Sequence, residues 1–241
     1  MKQFLLCADD FGLSEEINLG ILTLLEQQKL NAVSCMTNMP LWQKDGKKLT
    51  RFHQHAKIGL HFSLPYRSLG ILILQAYLGL LNAKKIQQML EAQFNAFIDV
   101  IGSKPDFLDG HQHIHQLPKI REIFIHFYQT HYPDKQAFVR SSVNQQKNFK
   151  ARLINLLGAK TLKKLLIKLN IPHNSSFSGI YNLTPGQDYQ RLLDRFISET
   201  KDGGLIMCHP AQQLPHSSSR EAFRFNEFKA LESYDKRIND N

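Results

Sequence analysis

The residues of this 241-residue chain that can do chemistry fall into a few short groups. Asp9 and Asp10 stand side by side after an apolar run. His61 lies within Ile58-Gly59-Leu60-His61-Phe62, and Asp109-Gly110-His111-Gln112-His113-Ile114-His115 gathers three of the chain's 11 histidines. Arg140 follows Val139, and His209 follows Cys208. Two adjacent carboxylates at the end of a buried strand would repel each other in a low-dielectric site and raise the pKa of one of them. A cation or donor must compensate, and a metal ion is the natural candidate. The plainer reading is helix capping by Asp10 or Ser14 before Glu15, with Gly12 allowing the turn. For Ser14 capping is the preferred role.

The histidine cluster is the most specific signal. If the segment is extended, all three rings point to one face; if it is helical, His111 and His115 stack one turn apart. Either geometry brings two imidazoles to one metal, with Asp109 placed to orient a ring from behind. His61 alone reads more readily as a hydrogen-bonded core residue. An Asp with two or more His suits Zn²⁺ and other first-row divalent ions and leaves positions open for water and substrate, whereas Mg²⁺ favours more oxygen ligands. The sequence leans to a transition metal and leaves magnesium open. There is no Gly-x-Ser-x-Gly elbow and no phosphate-cradling glycine loop.

These residues need a scaffold that gathers them. Short apolar runs predict buried strands at Phe4 to Ala8, Ala32 to Met36, Ile58 to Phe62, Phe107 to Leu108, Ala137 to Val139 and Leu205 to Cys208. Helical periodicity marks Ile17 to Gln28, Ile86 to Ile101 and Tyr189 to Ile197, and the lysine-rich stretch from Lys147 to Lys168 reads as an amphipathic helix. Buried strands alternating with amphipathic helices predict a parallel α/β architecture, an open sheet or a barrel. The candidate residues directly follow the strands, so they would share the rim where such folds assemble their sites.

Composition narrows the class. With 42% hydrophobic residues the chain can bury one core, and a single domain over residues 1–241 is expected, with the polar tail from Ser233 to Asn241 frayed. The start lacks the apolar core of a secretory signal and no stretch reaches a membrane span's length of about 20 apolar residues, so a cytoplasmic enzyme is expected. Cys7, Cys35 and Cys208 read as buried thiols. The charge of +9 would suit an anionic partner, but Lys and Arg are mostly scattered, so no nucleic-acid role is expected. The leucine-rich segment from Tyr66 to Asn82 reads as a core helix or an interface for a homodimer, ahead of a lid over the site.

In order, Ala8-Asp9-Asp10-Phe11-Gly12-Leu13-Ser14, Gly59-Leu60-His61-Phe62, Pro105 to His115 and Met207-Cys208-His209-Pro210 resemble the motifs of the YdjC-like carbohydrate deacetylases, over residues 3 to about 235. The resemblance implies a distorted (β/α) barrel related to that of the NodB-type polysaccharide deacetylases, removing an N-acetyl group from an amino sugar, oligosaccharide or glycolipid. It implies Asp10, His61 and His111 as ligands of one divalent ion, Mg²⁺ or Zn²⁺. Asp9 would be general base and His209 general acid, with Asp109, His113, His115 and Arg140 around them and Arg140 a candidate to hold the oxyanion. The spacing His111-x-x-x-His115 also matches the ligand pair of NodB-type enzymes, which leaves the third ligand open between the two. Departures follow Pro210, where Ala211 replaces the family's glycine and Gln212 to Ser219 diverges, which bears on substrate preference. Competing readings are hydrolysis of another bond such as a phosphoester, and a noncatalytic sugar-binding barrel.

Overall fold

The structure, a computed structural model, describes residues 2–144, 146, 149–182, 186–215, 217–218 and 221–234. Among the described residues seven parallel strands form one sheet: β1 (Phe4–Phe11), β2 (Ala32–Cys35), β3 (Lys57–Phe62), β4 (Phe107–Gly110), β5 (Phe138–Val139), β6 (Phe177–Ser178) and β7 (Gly204–Cys208). Their spatial order is β5-β4-β3-β2-β1-β7-β6. The helices are α1 (Glu15–Glu26), α2 (Trp42–Asp45), α3 (Leu69–Tyr77), α4 (Ala83–Ile101), α5 (Ile120–His131), α6 (Phe149–Ile154), α7 (Lys160–Lys168), α8 (Tyr189–Glu199) and α9 (Ala222–Ser233).

The two edge strands curl toward each other. Val139 donates its backbone N–H to Pro172 O at 2.9 Å, and Asn174 bonds both the N–H and the C=O of Ser141 at 2.7 and 2.9 Å. One isolated parallel bridge joins Asn144 to Phe177. The result is the distorted barrel expected from the sequence, with a seam held largely by an asparagine side chain. Strand β6 escaped the sequence reading because its two residues lie among Asn174, Ser175, Ser176 and Gly179, without an apolar run.

Side chains alternate strictly between the two faces of each strand. Leu6, Ala8, Val33, Ile58, Leu60, Leu108 and Ile206 face the helices in the larger core, while Cys7, Ala32, Phe107, Phe177, Leu205 and Met207 form a smaller cluster inside the barrel. Continuing the inward parity one step along each strand reaches Asp9, Ser34, His61, Asp109, Arg140 and His209. The same alternation that fills the barrel with apolar groups at one end therefore fills it with polar groups at the other.

Ser14 caps α1, accepting from Ile17 N–H at 3.4 Å, and all three cysteines are free and buried. The stretch read as one amphipathic helix from Lys147 is broken: a π-type turn over Asn155–Ala159 separates α6 from α7, and within it Gly158 sits at φ 120°, where an added Cβ would lie 2.2 Å from Gln116 O. Lys147 itself and the tail residues 235–241 lie outside the described residues. Among the described residues no helix is long and apolar enough to cross a membrane.

Of the two roles favoured from sequence for this segment, core helix or subunit interface, helix α3 does not fill the first. Only Leu72 and Ala76 are buried, while Ile71, Leu74, Tyr77 and, beyond the helix, Leu78 and Leu80 are exposed. Its apolar residues surround the helix instead of forming one stripe, so packing on the barrel can cover only some of them.

Gly59 clears space inside the barrel. A Cβ there would lie 2.4 Å from the Phe107 ring, which is stacked on Phe138 at 4.9 Å and cannot easily yield. Gly59→Ala is therefore expected to cost roughly 1–3 kcal/mol through overpacking, read as a lower urea midpoint; an unchanged midpoint would show that the ring has room to move.

Candidate active site

Arg140 occupies the centre of the polar end of the barrel and is wholly buried. Its guanidinium donates to both oxygens of Asp9 at 2.6 and 2.7 Å and lies 2.6 Å from Asp109 Oδ2. Cys7 Sγ is 3.0 Å from Nη2. Burial opposes the charge of Arg140, but Asp109 and Asp9 outweigh it and hold the guanidinium firmly cationic. The sequence offered Arg140 as a candidate oxyanion holder. It is turned instead onto these two carboxylates and does not line the cavity.

Asp109 carries the network outward. Its Oδ1 accepts from Ser34 Oγ at 2.6 Å and lies 2.6 Å from His61 Nδ1. Although burial alone would raise its pKa, Arg140 and His61 hold the Asp109 carboxyl well below the usual carboxylate range. His61 is likewise fully enclosed; burial works against its charge, yet Asp109 and Asp9 raise its pKa to about 10. With Nδ1 engaged by Asp109, His61 turns Nε2 toward Asp10 Oδ1, 3.5 Å away.

Asp10 sits just past the regular part of β1 in the left-handed region, at φ 71°. That twist turns it away from Asp9, so the adjacent carboxylates take different partners. Asp10 Oδ1 faces His61 and His111 Nδ1, the latter at 3.0 Å, while Oδ2 accepts from Arg224 Nη2 at 2.7 Å. Burial would raise the Asp10 pKa, but His111, His61 and Arg224 bring it well below the ordinary value, the reverse of what the adjacency alone suggested.

The three clustered histidines diverge. Residues His111 to Gln116 form tight turns in which Gln112 and His113 are both left-handed, at φ 51° and 60°, so the segment is neither extended nor α-helical. Non-glycine residues in this region cost about 1–3 kcal/mol each and tend to cluster at functional sites. His111 faces Asp10. His113 turns to Ser142 Oγ at 3.1 Å and packs edge-on against Phe177, and His115 points away to Arg140 O at 3.0 Å. The expectation that two of these rings would meet one ion rested on a regular backbone, and two consecutive left-handed residues remove it.

Helix α9 supplies two groups that the sequence gave little sign of. Arg224 pins Asp10, and buried Glu227 accepts from the backbone N–H of His209 at 2.5 Å and from the Tyr181 hydroxyl. Glu227 Oε1 also lies 3.8 Å from His209 Nδ1. Neither belongs to a recognisable motif, and α9 has no clear amphipathic period. The only available signal was an Arg and a Glu one turn apart in a polar, aromatic segment.

Asp9, Asp10, His61, His111, His113 and His209 all line one cavity of about 320 Å³. Its outer wall is aliphatic, with Leu69 and Ile73 of α3 facing Leu153, Ile154 and Leu157. A larger hollow of about 730 Å³ at the opposite end of the barrel, near Lys2 and Asn31, gathers no comparable polar cluster. Asp10, His61 and His111 each place one donor atom within 4.8 Å of the other two, as do Asp9, His61 and Asp109, but Arg140 already engages both carboxylates of the second group.

The fold and site together define a parallel α/β barrel with an Asp-His-His constellation at the carboxyl ends of its strands. The chain belongs to the YdjC-like protein family, whose profile matches residues 3–237. It is 28% identical over 229 residues to a chitooligosaccharide deacetylase of Yersinia enterocolitica, covering 87% of this chain and 82% of that protein. It is 30% identical over 139 residues to a carbohydrate deacetylase of Danio rerio, covering 48% and 43% of the two chains. A solved structure from Enterococcus faecalis V583, of a protein named for cellobiose-phosphate cleavage, superposes with a TM-score of 0.69 at 16% identity. That match covers 99% of this chain and 93% of the other, and shows a shared fold.

His113 and His115 make stability sensitive to acid. Burial pushes the His115 pKa down from 6.5 to about 4 and that of His113 well below its usual value. The unfolded chain takes up protons from about pH 6.5 downward that these two folded side chains refuse, so their contribution to stability is full above that pH and falls toward pH 4. The His115 contribution is on the order of 3 kcal/mol. In urea titrations of metal-stripped protein, His115→Gln is expected to flatten this fall; an equally steep loss in the variant would contradict the assignment.

Proposed function

We propose that this chain is a metal-dependent carbohydrate deacetylase that removes the N-acetyl group from an amino sugar. The observation that carries this reading is the convergence of Asp10 Oδ1, His61 Nε2 and His111 Nδ1 in one cavity beside the arginine-held carboxylate of Asp9. The names of the Yersinia and Danio relatives support the choice of substrate class.

The donor set fits a divalent ion. One carboxylate oxygen and two imidazole nitrogens separated by 3.0 and 3.5 Å from the oxygen match the spacing of about 3.3 Å between ligands bound tetrahedrally at 2.0–2.1 Å. Two of the three donors are held from behind: Asp109 holds His61 Nδ1 and Arg224 holds Asp10 Oδ2. Two nitrogens favour Zn²⁺ or another first-row ion over Mg²⁺. When bound, such an ion supplies Lewis acidity toward the acetyl carbonyl and makes water easier to deprotonate.

The chain's own groups then divide the proton transfers. Asp9, fixed by two hydrogen bonds to Arg140, is the general base that takes the proton of the attacking water. His209, with Glu227 Oε1 3.8 Å from its Nδ1, is the general acid that protonates the departing amine. Each transfer is worth on the order of 10²–10⁴-fold. His113 lines the cavity without facing the donor triad. His115 lies behind the site as a packing residue, bonded to the backbone that carries Arg140.

The test is acetate release from N,N'-diacetylchitobiose by metal-stripped protein, with Zn²⁺, Co²⁺, Ni²⁺ or Mg²⁺ restored separately. Acetate is expected only with metal, and Asp9→Asn is expected to lower the rate at least about 10²-fold while metal still binds. Undiminished turnover in Asp9→Asn would remove the base assignment. Turnover of a phosphodiester without acetate release under any metal would replace deacetylation with phosphoester hydrolysis.

A further inference from the structure

Two helical ridges flank the cavity mouth and both display apolar residues to solvent. On one, Leu74, Leu78 and Leu80 are 58%, 61% and 68% exposed; on the other, Phe149 and Leu156 are 81% and 78% exposed. The ridges are continuous with the cavity, since Leu69 and Ile73 line it from the first and Leu153 and Leu157 from the second. Isolated surface leucines are ordinary, but a grouped apolar rim around a binding cavity marks an interaction surface.

Charge selects the partner. The chain has no Asp or Glu from Gly46 to Leu90, nor from Lys135 to Gln187, the two stretches within which the ridges lie. The same stretches carry exposed Arg67, Lys84 and Lys85 beside the first ridge and Arg152, Lys160 and Lys164 along the second. Apolar side chains among cations, without acids, match a surface with an apolar interior and anionic headgroups. A second copy of this chain fits poorly, because its own acid-free, cationic face would be set against this one.

We propose that the rim formed by α3 and its following turn, and by α6 to α7, is a docking face for an anionic lipid surface, which presents the cavity mouth to the headgroup layer. Each exposed leucine and Phe149 would enter the boundary between headgroups and acyl chains, with the lysines and arginines at headgroup level. This face stands apart from the catalytic groups and does not depend on the reaction they perform.

The test is co-sedimentation of the full chain with vesicles of phosphatidylcholine alone or mixed with phosphatidylglycerol, at low and high salt. Leu74→Ser/Leu78→Ser serves as the variant, its unchanged thermal midpoint showing that the fold is intact. The wild-type chain is expected to bind the mixed vesicles, to bind them less at high salt, and to ignore pure phosphatidylcholine. The variant is expected to bind about tenfold more weakly or worse, from lost apolar insertion. Absence of binding to anionic vesicles, or equal binding by the variant, would overturn the proposal. So would light scattering that shows a wild-type dimer which the variant splits into monomers, since the face would then belong to a second copy.

Discussion

A guanidinium enclosed by two carboxylates sets the geometry of this protein's polar interior. Arg140 is wholly buried and meets Asp9 and Asp109 at 2.6–2.7 Å. Removing one partner from such a buried pair leaves an uncompensated charge and costs about 3–5 kcal/mol, so the arrangement holds only if all three are present. From it follow the fixed position of Asp9, the hold of Asp109 on His61, and through His61 the direction of the nitrogen that faces Asp10. A second arginine, Arg224, does the same for Asp10 from the other side. The two adjacent aspartates thus become two separate, differently partnered groups.

The barrel makes this possible through parity. Inward positions near the start of each strand hold Cys7, Ala32, Phe107, Phe177 and Leu205 in a dry cluster, and the next inward positions hold the polar network. Arg140 lies 6.0 Å over the rings of both Phe107 and Phe177, so the apolar plug forms the floor of the charged layer. A low-dielectric floor strengthens the ion pairs above it and makes any unpaired member costly. The strain at Asp10, Gln112 and His113 sits at the top of this layer, where the backbone leaves regular strand geometry and the side chains turn toward the cavity.

Much of this was legible in the sequence because strand ends punctuate it. Asp9, Asp10, His61, Asp109, His111, Arg140 and His209 each follow an apolar run, and parallel strands bring such positions to one rim. What stayed hidden depends on geometry that no local pattern encodes. The left-handed pair Gln112 and His113 sends three neighbouring imidazoles in three directions. Strand β6 is too short and polar to register, and Arg224 and Glu227 reach the site only because α9 packs back across the barrel. The apolar run after Tyr66 was visible as apolar, but its exposure depends on how little of α3 the barrel covers.

The most direct test of this account is cobalt binding to the metal-stripped chain, followed by the visible absorption of bound Co²⁺, in the wild type and in His111→Gln and His115→Gln. The geometry leads us to expect one ion per chain, retained in His115→Gln and lost or greatly weakened in His111→Gln. Retention in His111→Gln with loss in His115→Gln would show that the turn at Gln112 and His113 does not separate the histidines as described. It would contradict the assignment of the donor triad on which the rest is built.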